Sequence, residues 1–586
     1  MFRPFPHARR PLAWLCLSLF LPACSPDAPP PAPEPVDFAG AAHPELVAHS
    51  AEFERRVYEV VPGLHVAVGF GLANSILIEG DDGVVIVDVM ESVEAAQEVR
   101  AAFAEITDKP IRALVYTHNH ADHVFGARGF VPEGDIDVYA HATTNTYIDR
   151  VVSIIRPAIG NRSARMFGTY LPHDENGVVN AGIGPRLRVG HGGGRPSLIR
   201  PNRTFEDRLE VTIAGIEMVL VHAPGETNDQ IFVWLPRMKA LLPGDNVYKA
   251  FPNLYTIRGT LYRDVLQWAK SIDRMRELEP EHLVPSHTRP VSGREAVEAI
   301  LTPYRDAIQY VHDQTIRGLN QGLTPDELVE TVKLPPHLRD HPYLRELYGT
   351  VEWSVRAVYD GYLGWFDGNT ATLSPAPPDE RAAGYVALAG GPEALREAVR
   401  RALDEERWAW AAELADHLVR AEPDVGENRR LAAAALRELG RLSISPNGRN
   451  YYLTQALELE GEVGVDEDPR ADPGAFDVAR AIPIANFMES LPVNLDAQAA
   501  ADTDLAVGFR FTDEGREFGI HVRRGVAELM PRLPDDPAAV LVTTSDVWKE
   551  ILVGRRNAAL AFAGDDVEVE GSTLDLVRFL GLFSGG

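Results

Sequence analysis

The sequence contains very little cysteine, with only Cys16 and Cys24 among its 586 residues. Both lie in the first 24 residues, so the rest of the chain has no thiol with which to form a disulfide. The apolar run over residues 12–21 is too short to be a membrane span, which needs about 20 residues. The sequence therefore predicts a protein that folds without disulfides and has a leader-like N-terminus.

Positive charge is also scarce. The chain has 57 Lys and Arg against 85 Asp and Glu, and its formal net charge is −28. Such a field repels phosphate backbones, so nucleic acid is excluded as a partner. The hydrophobic share of 45% is ordinary for a soluble globular protein. At this length we expect several domains rather than one core.

Residues 1–23 have the features of an export signal, because arginines precede the apolar run. The segment ends in LPAC, which resembles a bacterial lipobox. Cys24 is therefore predicted to be the lipidated first residue of the mature chain, and it has no disulfide partner once Cys16 is removed. Plain secretion is the alternative. The prediction is an exported, periplasmic protein anchored to the membrane by lipid, with the proline-rich residues 24–44 as a linker.

Beyond the linker, sequence patterning divides the chain into three regions. Over residues 45–375, short apolar runs alternate with amphipathic stretches, which indicates an α/β domain. Residues 376–465 consist mostly of helix formers and predict an all-α domain. Residues 475–586 alternate like antiparallel strands and end in an amphipathic helix, which predicts a small α+β domain.

One short motif carries the chemistry. The apolar strand predicted over residues 111–118 leads into THNHADH, which places His118, His120, Asp122 and His123 within six positions. Imidazole nitrogen and carboxylate oxygen are preferred zinc ligands, and a catalytic zinc keeps one position for water. Exposed loop residues are the alternative for any single histidine. Three histidines with an aspartate, directly after a buried strand, favour a site for two metal ions.

This motif is similar to the signature of the metallo-β-lactamase fold, and other stretches resemble the zinc-dependent alkylsulfatases of that fold. These stretches are RMFGTYLPHDENGVVNAGIG (165–184), NLYTIRG (253–259), YGTVEWSVRAVYDGYLGWFDGN (348–369) and YVALAGGPEAL (385–395). From about residue 45 onward the chain is identified as a divergent member of that family. The resemblance implies an αββα sandwich, then an all-α dimerisation domain and a C-terminal α+β sterol-carrier-like domain.

The resemblance also implies two zinc ions per chain and their ligands. The implied ligands are His118, His120 and Glu226 for one ion, and Asp122, His123 and His287 for the other, with Asp245 bridging. Glu226 stands where most of the superfamily has histidine. Asp245 follows it by 19 residues, as in the alkylsulfatases, although one residue is missing before Glu226. Asp88 is predicted either to support a ligand or to be a simple turn residue.

Substrate contacts are expected from Arg258, with Thr260 and Tyr348 as further hydrogen-bond donors. The planar guanidinium of Arg258 suits sulfate oxygens, although a surface salt bridge is the alternative. Four residues depart from the family pattern. They are Pro252 in place of a histidine thought to assist the leaving group, Ala250 for an asparagine, Trp353 for a histidine and Phe167 for a tyrosine. The general acid is therefore unknown.

The expected function is hydrolysis of alkyl sulfate esters to alcohol and sulfate by a metal-activated water. The first alternative is a hydrolase of the same fold that acts on another ester, a lactone, a lactam or a phosphoester. The second is a non-catalytic lipid-binding lipoprotein. The expected partners are a small amphiphilic substrate, the membrane through the lipid anchor, and a second copy of the chain in a homodimer.

Overall fold

The structure, a computed structural model, describes residues 41–189, 194–465 and 475–583. The predicted leader, Cys24 and most of the predicted linker lie outside the described residues. Within these ranges, no helix combines the length and apolar character needed to cross a bilayer.

Two sheets form the centre of the first region. The first sheet consists of β1 (Arg56–Val61), β2 (Leu64–Val68), β3 (Ser75–Glu79), β4 (Val84–Val87), β5 (Ile111–Val115), β6 (Asp137–His141) and β7 (Arg203–Phe205), in that order. Its strands are antiparallel from β1 to β4 and parallel from β4 to β7. Parallel strands that are covered on both faces have almost continuously apolar sequences, as β4 (Val84–Val87) and the second half of β5 do.

The second sheet is formed by the following half of the region. It contains β8 (Arg208–Ile213), β9 (Ile216–His222), β10 (Ile231–Leu235), β11 (Ala240–Leu242), β12 (His282–Leu283) and β13 (Val291–Ser292), in the order β13-β12-β11-β10-β9-β8. β10 is antiparallel to both β9 and β11, and β12 is parallel to β11. Strands β9, β11 and β12 therefore run in one direction and end at the same edge.

The region contains eleven described helices, several of which cover the outer faces of the two sheets. They are α1 (Pro44–His49), α2 (Val93–Ala104), α3 (Ala121–Val124), α4 (Ala127–Phe130), α5 (Thr144–Ser153), α6 (Arg156–Met166), α7 (Val265–Arg276), α8 (Arg294–Leu319), α9 (Pro325–Thr331), α10 (Pro336–Arg339) and α11 (Val351–Leu363). Short 3₁₀ turns lie at Ser50–Phe53, Gly244–Asn246 and Thr370–Thr372.

The layers follow from the alternation of side chains along each strand. In β4, Val85 and Val87 face the second sheet and join the core between the sheets. Ile86 points the other way, into a core that includes Phe103 of α2. On the far side, the outer face of the second sheet packs with α7 and α8 around Trp268. The order helix, sheet, sheet, helix confirms the predicted αββα sandwich.

The second region is helical. Its helices are α12 (Pro378–Ala389), α13 (Pro392–Asp404), α14 (Trp408–Ala421), α15 (Gly426–Leu442) and α16 (Pro446–Glu460). Neighbouring helices pack around small and branched apolar residues such as Ala411, Ala415 and Leu418. Small side chains let helix axes approach closely, as the alanine-rich sequence predicts.

The third region is an α+β unit. It contains α17 (Ala475–Ala481), α18 (Ile484–Ser490), the 3₁₀ turn Leu491–Asn494, β14 (Asp504–Phe511), β15 (Arg516–Arg523), β16 (Val526–Met530), β17 (Ala539–Thr543), α19 (Ser545–Leu552), α20 (Ala558–Ala563), β18 (Glu568–Gly571) and α21 (Thr573–Gly581). Its sheet has the order β16-β15-β14-β17-β18. Helix α18 packs on α5, and residues of this unit join the same buried cluster as the outer face of the first sheet. The α+β class is as predicted, and the sterol-carrier likeness stays a prediction.

Candidate metal centre

The histidine motif begins where β5 ends at Val115. His118 and His120 lie on the loop, and Asp122 and His123 lie on the short helix α3. His118 and His123 are fully buried, and Asp122 is 8% exposed. His118 Nε2 lies 2.8 Å from His120 Nδ1, so the two rings converge on one point.

Three side chains of the second sheet meet this loop. Glu226 follows β9, Asp245 lies in the 3₁₀ turn after β11, and His287 follows β12. Glu226 Oε2 lies 3.1 Å from His120 Nδ1, and His287 Nε2 lies 3.4 Å from Asp122 Oδ2. The three are close together because their strands end at the same edge of the sheet.

The candidate ligand atoms fall into two groups. Within each group they lie no more than 4.8 Å apart, and the groups are His118, His120, Glu226 and Asp245, and Asp122, His123 and His287. Asp245 also faces the second group, since its Oδ1 is 3.4 Å from His123 Nε2 and its Oδ2 is 3.1 Å from His287 Nε2. It thus lies between the groups, where a bridging carboxylate belongs. The structure brings all seven predicted residues together.

Three atoms facing into the cluster are buried and have no hydrogen-bond partner within the described chain: His123 Nε2, Glu226 Oε2 and Asp245 Oδ1. Buried polar atoms are nearly always paired, so such a concentration points to an interaction that hydrogen bonds do not supply. Neutral imidazoles and ionised carboxylates are the ligands of zinc. The donor set therefore fits a pair of divalent cations.

Asp88 supports the cluster from behind. Its Oδ2 lies 2.8 Å from His123 Nδ1, and the same carboxylate accepts hydrogen bonds from the backbone and hydroxyl of Thr117 and from the hydroxyl of Ser286. Asp88 also has a φ of 58°, in the left-handed region. The structure thus gives it both of the roles considered from the sequence, as a turn residue after β4 and as the partner of a candidate ligand.

The outer nitrogens of the other buried histidines have partners as well. His287 Nδ1 lies 3.0 Å from the carbonyl oxygen of Leu72, and His118 Nδ1 lies 3.0 Å from Thr117 Oγ1. A partner on the outer nitrogen fixes the ring orientation and directs the inner nitrogen to a metal. These contacts prepare Nε2 of both rings to face the cluster.

Burial and neighbouring charges shift the pKa values of the cluster. Burial, assisted by the charge of His123, places the pKa of His118 well below its ordinary value. Burial also raises the pKa of Glu226, although Arg263 acts against it. For Asp122, burial favours the protonated form, but His123 outweighs it and lowers the pKa. Metal ions bind neutral histidine and ionised carboxylate, so a cation would satisfy both His118 and Glu226.

Of the predicted substrate residues, Arg258 lies nearest to the cluster. Its Nη2 is 2.9 Å from His120 Nε2. Tyr348 is buried, and burial, assisted by the charge of Glu226, raises the pKa of its hydroxyl, although Arg258 acts against it. In the described chain, no hydrogen bond joins Thr260 to the cluster. The substrate roles of all three stay predictions.

The four departures from the family pattern are accommodated by packing. Ala250 and Pro252 are buried, and Phe167 packs against the small apolar cluster that contains Ala250 and Tyr348. The ring of Trp353 lies against Gly448 of α16. None of these side chains can replace an acid, so apolar contacts occupy positions where the family pattern has polar groups.

Sequence reasoning missed two residues that contact Glu226. Arg263 Nη2 lies 2.6 Å from Glu226 Oε1, and Asn246 Oδ1 accepts the backbone N–H of Glu226 at 3.1 Å. A single arginine in a loop gives no local signal, because its partner lies far away in sequence. Asn246 directly follows Asp245, and only its position after a strand could have indicated a role.

Fold and site together define a member of the metallo-β-lactamase superfamily. The family model of that superfamily matches residues 68–287. Two further models match, one described as alkyl sulfatase dimerisation over residues 324–462 and one as alkyl sulfatase C-terminal over residues 473–585. The dimerisation match begins inside the region assigned above to the catalytic domain, and the predicted domain boundaries stay predictions.

Similar proteins narrow the class to a family. A linear primary-alkylsulfatase of Pseudomonas sp. is 41% identical over 86% of this chain and 98% of the relative, and an (R)-specific secondary-alkylsulfatase of Pseudomonas sp. is 32% identical over 93% and 83%. The solved structure of the stereoselective inverting sec-alkylsulfatase Pisa1 from Pseudomonas sp. superposes with a TM-score of 0.86 at 29% identity, covering 93% of this chain and 87% of that one. The chain belongs to the alkylsulfatase family. This confirms the predicted family and, with it, the class of enzyme, a metal-dependent hydrolase.

Proposed function

We propose that this protein hydrolyses sulfate esters of aliphatic alcohols, releasing the alcohol and sulfate, with two zinc ions held by the seven clustered residues. The observation that carries the proposal is the convergence of those residues in two groups, each within 4.8 Å, at one edge of the sandwich. Zinc bound there lowers the pKa of water toward neutrality and so supplies the nucleophile. The names of the relatives, primary and secondary alkylsulfatases, support the substrate class.

The chain's own residues divide the remaining tasks. Asp88 and the carbonyl of Leu72 hold His123 and His287 in the orientation needed for binding a cation. Burial of the cluster excludes bulk water, which strengthens each electrostatic interaction. Asp245 faces both groups of ligands, so a single carboxylate could bind the cations of both groups.

Arg258 is proposed to bind the sulfate group. Its guanidinium lies 2.9 Å from His120 Nε2. When His120 binds a cation through Nδ1, its proton resides on Nε2, and Nε2 then has no lone pair to offer Arg258. The guanidinium fork is thereby released for sulfate oxygens, which it matches in geometry and charge. Tyr348 contributes a neutral hydroxyl donor, because burial raises its pKa.

A homodimer is the proposed assembly. The last turn of α11 exposes Tyr362 and Leu363, and the stretch after it exposes Trp365 and Leu373, with 73% of the surface of Trp365 accessible. Contiguous exposed apolar side chains of this size mark interaction sites. The stretch lies inside the segment matched by the dimerisation model, which supports a second copy of the chain as the partner.

We further propose that the protein is exported to the periplasm and anchored to the membrane through lipid on Cys24. The support is the sequence alone, in which a charged and apolar leader ends in LPAC. Labelling of the full-length chain with a lipid precursor, compared with a Cys24→Ala variant, tests the proposal. Equal labelling of both chains would contradict it.

The central experiment measures metal content and turnover of the purified protein. We expect about two zinc ions per chain, release of sulfate from a medium-chain alkyl sulfate, and loss of both with a strong chelator. Activity confined to phosphate, lactone or lactam substrates would assign a different substrate to the same fold. Bound zinc without turnover on any of them would favour a lipid-binding protein.

A further inference from the structure

Arg263 and Glu226 form a buried ion pair beside the cluster. Their exposed fractions are 2% and 3%, and Arg263 Nη2 lies 2.6 Å from Glu226 Oε1. Arginine is almost never fully buried unless it is paired. Taking both charges out of water is costly, so the pair is not explained by fold stability alone.

The pair divides the two oxygens of Glu226 between two tasks. Oε1 forms the ion pair with Arg263, whereas Oε2 lies 3.1 Å from His120 Nδ1 and 3.8 Å from His118 Nε2. Oε2 has no hydrogen-bond partner within the described chain. Arg263 therefore leaves a single oxygen free and turns it toward the two histidines.

Arg263 is itself held from two sides. Its Nη1 donates to the carbonyl oxygen of Asn253. The following residue, Asp264, caps helix α7 by accepting the backbone N–H of Gln267 at 2.9 Å. A guanidinium fixed at both its backbone and its head can hold a carboxylate in one orientation.

We propose that Arg263 is a positioning residue that allows a glutamate to serve as a metal ligand in this site. It presents Oε2 alone to the cation, and its permanent charge offsets one of the three carboxylates, Asp122, Glu226 and Asp245, that surround the cluster. This inference rests on the proposed function, because it requires the cluster to hold cations. In this role Arg263 acts through Glu226.

The test compares Arg263→Met and Arg263→Lys with the native protein. Zinc affinity is measured by competition with a chelating dye. The coordination geometry of the metal site is measured by the visible absorption of the cobalt-substituted protein. We expect Arg263→Met to weaken one of the two zinc sites about 10- to 100-fold and to alter the cobalt spectrum. Arg263→Lys keeps the positive charge but loses the planar guanidinium. The zinc affinity of this variant should therefore be intermediate, and its cobalt spectrum should differ from the native one. Arg274→Met is the matched control, because Arg274 lies on helix α7, which begins two residues after Arg263, and donates to the carbonyl of His222 rather than to a cluster residue.

A double variant separates positioning from simple support of the fold. An imidazole is a neutral ligand and needs no counter-charge, so Glu226→His combined with Arg263→Met should bind zinc at least about tenfold more tightly than Arg263→Met alone. A double variant no better than the single one would overturn the proposal, and so would a folded Arg263→Met with native affinity and spectrum. If Arg263→Met does not fold, a native spectrum in Arg263→Lys would overturn the proposal in the same way. Failure of the proposed function looks different, because the native protein itself would then bind no zinc or release no sulfate.

Discussion

At the scale of single residues, Asp88 connects the backbone to the cluster. Its carboxylate accepts from Thr117 and Ser286 and holds His123 Nδ1, while its backbone occupies the left-handed region at φ 58°. Aspartate and asparagine tolerate that conformation better than most residues, and either could form the turn. Only the carboxylate can accept from all of these donors at once.

This difference gives a testable prediction for Asp88→Asn. The substitution keeps the shape and the tolerance of positive φ but places an amide N–H against groups that themselves donate hydrogen bonds. We expect about a 10- to 100-fold loss of zinc affinity, because the orientation of His123 is no longer fixed. Zinc titration against a competing dye checks it, with the exposed Asp82→Asn as control. If Asp88→Asn binds zinc with native affinity, Asp88 serves only as a turn residue.

Arg258 supports a second prediction at this scale. Replacement by methionine removes the only charge proposed to face the sulfate group, while the packing of the side-chain stem is largely retained. Hydrogen bonds to charged groups are worth about 1.5–3 kcal/mol, so kcat/KM for alkyl sulfate should fall about 10- to 100-fold. Sulfate release measures this, and zinc content should stay native. A variant of the exposed Arg208 serves as control, and unchanged kinetics in Arg258→Met would assign sulfate binding elsewhere.

At the scale of elements, the sequence predicted those strands, helices and turns that depend on residues close together in the chain. The apolar run 111–118 became β5 followed by the histidine loop, and the turn at EPDVGEN separates α14 from α15. Such features depend on neighbouring residues, which side-chain alternation and helix propensity describe well. The convergence of Glu226, Asp245 and His287 depends on strand order, and it was expected only through resemblance to a known family. Arg263 was missed because its role depends on a contact with a distant segment.

The packing of α16 on the first region gives a prediction at the element scale. Arg449 of α16 is 1% exposed and donates to the carbonyl oxygens of Ala41, Glu175, Gly177 and Gly440. It joins the helical region to the loop after α6 without using any carboxylate. Buried acceptors left without a donor cost about 1–3 kcal/mol each.

We therefore expect Arg449→Met to lower the melting temperature by several degrees while zinc content remains native. Differential scanning calorimetry and metal analysis of the same sample check both parts. Arg429, a half-buried arginine of α15 that also donates to a carbonyl, provides the control variant Arg429→Met. An unchanged melting temperature would mean that other contacts hold α16 in place.

At the scale of the whole molecule, the exposed apolar stretch after α11 predicts the state of assembly. Replacing Trp365 with glutamate puts a charge into the proposed contact between two copies, and a buried unpaired charge is strongly unfavourable. We expect a dimer for the native protein and a monomer for Trp365→Glu, measured by light scattering coupled to gel filtration. Leu574→Glu places the same charge on an exposed residue of α21 as control. A Trp365→Glu dimer would move the interface elsewhere.

The attachment of the third region limits how far it can move relative to the first region. A module that ferries cargo by swinging needs a joint that few contacts cross. Here α18 lies against α5, and α6, which follows α5, places Ile159 beside Gly259, next to Arg258. The third region thus shares a buried core with the helices that lead to Arg258, and we expect an aliphatic chain bound on it to approach the proposed metal site without a swing of the whole unit.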